Sequence, residues 1–327
     1  MEKEANERHT SDMLTAEKRY NIAKIENETD EDSIVDGTFI VPREMWLEIF
    51  HYLSPKDLCR CAQVCKLFNS IAYRQEFWKG LYIPYWTKGL WEFKEAHRDV
   101  ESGRLPCYHT HPAERQLCDD EMEFYVIHGI LNHLPTIGHG VVVLCMSGVN
   151  LTDDLVRLML LSCPNLETLD LSYTCISGYF AFRGLHEYKC CRRLKYLSFS
   201  GCRNLVDECI VNLTKCWLFL EQTQSNDDHI TGLISLSMSG CERLTSGSIS
   251  ALLNVPKFLH NLKHLDFSGC FRFSSESLCE VANVCPKLEP KNLYYCHNVL
   301  NGPFMLEANG CNNLESAKRK CCSFPEY

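Results

Sequence analysis

The chain of 327 residues contains no apolar run approaching the roughly 18 residues that cross a bilayer. No cationic leader followed by a hydrophobic stretch opens it. These two absences set the expectation of a soluble protein of the cytoplasm, with the nucleus also open to it, and without membrane association. Positive charge is also in short supply. Lys and Arg total 33 against 42 Asp and Glu, a net charge of -9, so direct nucleic-acid binding is not expected. Paired catalytic acids, a nucleophile–base motif and a phosphate-cradling glycine loop are all missing, which argues against an enzyme.

Cysteine, by contrast, is plentiful, at 21 residues. In a reducing compartment these are read as buried small hydrophobes or metal ligands, not disulfides. Charge is uneven: the first 36 residues hold eleven acidic and five basic side chains, and residues 1–38 are expected to be an acidic disordered tail.

Most of the chain follows a repeat. Leu194, Leu197, Phe199 and Cys202 mark a frame that recurs from Leu233 to Cys241 and from Leu262 to Cys270. Leu166, Leu169 and Leu171 fit it, Val141, Leu144 and Met146 give a first copy, and Leu288, Lys291 and Leu293 before Cys296 give a last, degenerate one. The copies start 25 to 29 residues apart, except for one step of 39, which is a leucine-rich-repeat period. Each unit predicts a short strand, a turn at the cysteine and a helix. Ser274, Ser275 and Glu276 open such a helix, with Leu278, Val281, Ala282 and Cys285 on one face and Pro286 ending it. In the first unit Thr152, Asp153 and Asp154 precede Leu155, Leu158, Met159 and Cys163, with Pro164 as the stop. The long step contains a polar insertion, residues 218–231, read as an exposed loop. Residues 86–127 are read as a linker. Within it Cys107, His109, His111 and Cys118 match no zinc spacing.

Residues 39–85 differ in texture and predict three short helices. Pro42 suits a first helical position and leads to Met45, Ile49 and Leu53, four apart on one face. Ser54, Pro55 and Asp57 open a second helix with Leu58, Cys61, Ala62 and Cys65; Phe68, Ile71, Phe77, Trp78 and Leu81 extend into a third. Composition alone leaves a solenoid cap and a docking module equally open.

The order Pro42, Glu44-Met45, Ile49-Phe50, Tyr52-Leu53, Asp57-Leu58, Val64-Cys65 and Phe77-Trp78 resembles the F-box over its full length, with Phe68 where a tryptophan is usual. The resemblance implies docking through Pro42, Met45, Ile49, Phe50, Leu53, Leu58 and Trp78 to Skp1, and through it to a cullin ubiquitin ligase. The repeats, residues 128–315 in about six units, would then hold the protein to be ubiquitinated. The expected fold is therefore α/β: an N-terminal three-helix F-box followed by a curved leucine-rich-repeat solenoid. Catalysis would belong to other subunits.

Beyond the repeats, residues 316–327 form a cysteine-containing tail. Cys296, Cys311, Cys321 and Cys322 could gather four thiolates, which suit zinc or an iron–sulfur cluster, and Lys318, Arg319 and Lys320 would lower their pKa values. Equally, Cys296 shares the frame of Cys202, Cys241 and Cys270, and Cys311 mimics Cys163 and Cys285, so both can be ordinary repeat cysteines. The vicinal pair Cys190-Cys191 is assigned to packing. The stretches Leu293 to Cys296, Asn301 to Pro303, Asn309 to Leu314 and Cys321-Cys322 are similar to the end of iron-sensing members of the F-box/leucine-rich-repeat family. That similarity implies a [2Fe-2S] cluster on the four cysteines, with zinc or no metal as alternatives, and an iron regulatory protein as the captured substrate. Those members also carry an N-terminal hemerythrin-like bundle. With His9 the sole histidine before His51 and few residues before Pro42, that bundle is not expected here.

Overall fold

The computed structural model describes residues 41–91, 120–188, 190–223, 232–267 and 269–288. The expected tail at 1–38, the candidate ligands Cys107, His109, His111 and Cys118, and the four cysteines from Cys296 onward lie outside them. The chain opens with three short helices, α1 (Arg43–His51), α2 (Pro55–Cys61) and α3 (Lys66–Ala72), and a 3-10 turn at Gln75–Phe77. Strand β1 (Gly80–Tyr82), helix α4 (Ile83–Trp86) and helix α5 (Asp120–Ile137) lead into the repeats. These comprise β2 (Val143–Cys145), α6 (Asp153–Ser162), β3 (Thr168–Asp170), β4 (Tyr196–Ser198), α7 (Asp207–Thr223), β5 (Ser235–Ser237), α8 (Ser246–Leu253), α9 (Pro256–Leu259), β6 (His264–Asp266) and α10 (Ser275–Val284).

The six strands form one parallel sheet in chain order, the topology of a repeat solenoid. Its register puts Leu81, Leu144, Leu169, Leu197, Leu236 and Leu265 side by side at the middle of successive strands. All six are buried, and each removes apolar surface worth about 1.5–3 kcal/mol from water. A single strand–helix unit has nothing to bury this row against, so the row exists only because the units stack.

The turn after each strand shows why cysteine recurs. The thiol of Cys202 donates to the Leu171 carbonyl of the preceding unit at 3.0 Å, Cys241 to Phe199 at 3.1 Å and Cys270 to Met238 at 3.1 Å. Cysteine is small and apolar enough for the core, and its thiol adds a bond from the next unit to a carbonyl that already accepts one from its own unit. One step earlier the backbone is left-handed at Gly148, Tyr173, Gly201, Gly240 and Gly269, with φ between 58° and 74°. There the N–H groups of Gly148, Tyr173 and Gly201 donate to carbonyls of the next unit at 2.6–2.7 Å. Tyr173 is the exception to glycine in this row, and its ring covers Gly201: a Cβ on Gly201 would lie 2.5 Å from it. Gly201→Ala therefore combines a disfavoured φ with a clash. We expect a loss of about 1–3 kcal/mol in unfolding free energy, read as a lower urea midpoint at unchanged m-value.

Several elements differ from the sequence expectation. The third helical stretch stops at Ala72, and Leu81 lies in a strand because the Lys79 carbonyl and β1 pair with Val142 and β2. The sheet thus begins inside the N-terminal module. Part of the expected linker is helix α5. The expected loop at 218–231 is helical as far as Thr223, since Ile210, Leu213 and Trp217 continue one buried stripe along α7. In α6 the buried stripe is Val156, Met159, Leu160 and Cys163, while Leu158 faces out; the aliphatic run there permits more than one phase. The second repeat has no α-helix among the described residues, only a 3-10 turn at Leu185–Tyr188.

Candidate functional site

Two candidate sites follow from the sequence, and the structure describes one of them: the surface of the N-terminal helices. Helix α2 starts cleanly. Ser54 Oγ accepts from the Asp57 backbone N–H at 3.2 Å and donates to Asp57 Oδ2 at 2.8 Å, with Pro55 at the first helical position. Arg60 Nη1 adds a bond to Asp57 Oδ1 at 3.1 Å. The Ser54 hydroxyl first, then the Arg60 guanidinium, hold the Asp57 carboxyl below its ordinary value of 3.8. A depressed carboxyl pKa stabilises the fold above the unfolded value and ceases to do so as pH falls through the folded one. The thermal advantage of the natural chain over Asp57→Asn should accordingly be full at neutral pH and shrink below pH 3.8, as followed by melting curves across an acid titration.

An aromatic knot fixes the angle between α1 and α3. Phe68 meets Trp46 at 4.7 Å and Phe50 at 5.2 Å between ring centroids, both edge to face, and Phe77 closes on Phe50 at 6.5 Å. The Trp78 indole N–H donates to the Ala72 carbonyl at 2.7 Å. Phe68, which stands where the F-box usually has tryptophan, is thus the hub of the knot.

With these rings inside, the seven residues expected to dock on an adaptor divide into two sets. Phe50, Leu58 and Trp78 are buried core. This corrects the expectation that Leu58 and Trp78 present apolar surface: they hold the helices from within. Pro42, Met45 and Ile49 are exposed and Leu53 is half-buried. Sequence reasoning passed over two further apolar side chains on the module's surface, Tyr52 and Val64. Met45 is 55% exposed, Ile49 44%, Tyr52 79% and Val64 69%. Both missed residues stood in the quoted motif, but their neighbours Leu53 and Cys65 drew the helical stripe. This module carries several large apolar side chains facing solvent, as a docking surface does.

On the sheet face away from the helices, polar side chains bond to one another across the strands. Ser172 Oγ meets Ser198 Oγ at 2.7 Å, Ser198 meets Ser200 at 3.2 Å, and Ser200 meets Ser237 at 2.6 Å. Asp170 accepts from the Ser172 backbone N–H at 2.9 Å and from the Cys145 thiol at 3.7 Å. Burial and the adjacent Asp170 carboxylate push the Cys145 thiol far above its ordinary range, so it is no nucleophile. This face has the chemistry of a satisfied structural ladder.

The second candidate, Cys296, Cys311, Cys321 and Cys322, lies outside the described residues. Its neighbours show what repeat cysteines do here. Burial raises the Cys202 thiol to about 11 and the Cys163 and Cys285 thiols to about 12. Such groups stay protonated at neutral pH, as buried structural thiols do. Among the described residues no group of three or more His, Cys, Asp or Glu is placed to hold a metal ion. Nor is any described helix long and apolar enough to cross a membrane.

Comparison with known proteins places the module. Residues 39–84 match the F-box-like family. They form an F-box-like domain. Beyond that domain, the chain is similar to F-box/LRR-repeat protein 5 of mouse, 29% identical over 64% of this chain and 35% of that protein. It is likewise similar to the Xenopus laevis protein of that name, 31% identical over 51% of this chain and 28% of the relative. The chain thus spans about a third of the length of these curated relatives. Among solved structures, the yeast Rad7 and Elc1 complex aligns with 45% of this chain and 41% of its own, at 16% identity and a TM-score of 0.29.

Proposed function

We propose that this chain is the substrate-holding subunit of a Skp1–cullin–F-box ubiquitin ligase. The observation that carries the proposal is the F-box-like domain at residues 39–84, whose α1 turns Met45 and Ile49 to solvent. The similarity to F-box/LRR-repeat protein 5 extends past that domain into the repeats and supports the same reading. The domain would tie the chain to Skp1 and cullin, and the stacked repeats would hold the protein to be modified. The chain's own part is to bind and position, with ubiquitin transfer performed by other subunits in the cytoplasm or nucleus.

The finer proposal concerns the tail. Cys296, Cys311, Cys321 and Cys322 are the residues that would hold a [2Fe-2S] cluster, and the captured substrate would be an iron regulatory protein. Four thiols within 27 residues, three basic side chains beside the last pair and the family resemblance support it. When bound, such a cluster supplies a one-electron redox centre and ties distant cysteines together. Drawing the four thiolates to one centre would couple iron supply to substrate capture.

A second reading has its own observation. Cys296 occupies the frame of Cys202, Cys241 and Cys270, which spend their thiols on carbonyls of the preceding unit. On that reading the chain is a receptor for a different target without a cluster. Anaerobic purification with Skp1, followed by iron, sulfide and zinc quantification, decides between them. Two irons and two sulfides per chain, lost in Cys321→Ser, fit the cluster; zinc alone or no metal discards it.

A further inference from the structure

Where the F-box-like domain meets α5, the structure holds a cavity of about 210 Å³. Tyr73 and Trp78 line it from the domain, Trp86 and Trp91 from the stretch after β1, and Gly129 and His133 from α5. Its walls are flat rings in ordered contact. Tyr73 stacks on His133 at 3.7 Å and 11°, and Trp86 stacks on Trp91 at 5.9 Å and 19°. No acidic, lysine or arginine side chain is among the lining residues. Burial lowers the His133 pKa and keeps that ring neutral, and the Trp78 N–H is already given to Ala72. The space opens to solvent on the side of Tyr125 and Gly129, which are exposed; its apolar walls offer water few partners, so a flat apolar ligand would displace poorly held water.

Gly129 is the second observation. It lies inside α5, where glycine disfavours the helix roughly fivefold relative to alanine. A Cβ built on it would meet nothing within 4 Å, and its φ is not in the left-handed region. Neither a turn nor a close approach of backbone therefore requires a glycine. Gly129 is exposed at the mouth of the cavity, and its missing side chain leaves that mouth open.

We propose that this cavity is a binding site for a small, uncharged, planar aromatic molecule of one or two fused rings, held between the Trp and Tyr faces. A charged ligand would lose its hydration with no counter-charge in the walls. Neither the exposed Met45 and Ile49 nor the tail cysteines are among its lining residues.

Calorimetric titration of the full chain with indole, and with benzoate as the charged counterpart, tests the proposal. Indole should bind with a dissociation constant of roughly 0.1–1 mM and raise the melting temperature, while benzoate does neither. Gly129→Leu, which puts a bulky side chain across the mouth, should weaken indole by at least about tenfold, whereas Gly129→Ala retains it. Should Gly129→Leu fail to fold, Val126→Trp fills the same cavity from one turn away. Absence of indole binding to the natural chain overturns the proposal. So does undiminished binding to a cooperatively melting filled variant, because the probe would then be elsewhere.

Discussion

Met45→Glu combined with Ile49→Glu is expected to weaken binding to purified Skp1 by at least about 100-fold, since an apolar anchor at the centre of an interface contributes ~2 kcal/mol or more. Both side chains leave α1 on the same face, four residues apart, and both are exposed in the free chain. A carboxylate at either position costs the isolated domain little, but in a complex it would be desolvated without a partner. The melting temperature should hardly move. Phe50→Glu makes the contrast, because Phe50 is buried in the aromatic knot and its replacement should unfold the domain outright. Titration calorimetry against Skp1 and melting curves on the same samples separate the two effects. A double variant that binds as tightly as the natural chain would remove α1 from the interface.

A second large stability effect should fall far from that surface, in the repeats. Trp217 is fully buried on α7, stacked on Phe258 at 4.4 Å and 13°, and its indole N–H donates to the Cys191 carbonyl at 3.1 Å. Cys191 itself is held at φ 60°, a conformation that a non-glycine residue keeps only when its surroundings impose it. Trp217→Ala removes the ring that spans the insertion-bearing third unit and the fourth, opens a cavity and orphans that carbonyl. We expect about 3–5 kcal/mol of destabilisation, enough to abolish cooperative unfolding at physiological temperature in a marginally stable domain. Trp217→Phe should recover the stacking and leave a deficit of about 1–3 kcal/mol for the unpaired carbonyl. Urea unfolding of the two variants beside the natural chain gives both values.

The repeat was legible because it is written twice, in the leucine positions and in the cysteine that follows. Leu144, Leu169, Leu197, Leu236 and Leu265 fall where the frame puts them, and Ser274 caps α10 as its sequence announces, accepting from Ser277. The phase of α6 was not legible. Leu155, Val156, Leu158, Met159, Leu160 and Leu161 are all apolar, so more than one stripe satisfies the period, and packing against the neighbouring units selects Val156, Met159 and Leu160. Strand β1 was hidden for a related reason. Three residues carry too little alternation to announce a strand, and only the edge offered by β2, whose residues lie 63 positions further along the chain, makes one. At the candidate site, the sequence supplied the motif but not its orientation. Phe50, Leu58 and Trp78 belong to the same pattern as Met45 and Ile49, and a pattern does not reveal which of its members face inward. The thiol ladder of Cys202, Cys241 and Cys270 was visible as a repeated letter whose purpose required the carbonyls of the neighbouring unit.

An adaptor surface on the F-box-like domain should hold Skp1 in solution. Size-exclusion chromatography with light scattering on the full chain mixed with Skp1 tests this directly. A single 1:1 complex that persists at physiological salt is expected, because the contacts are apolar. Two separate peaks from folded, monodisperse components would contradict it and leave the helical module as a cap on the solenoid.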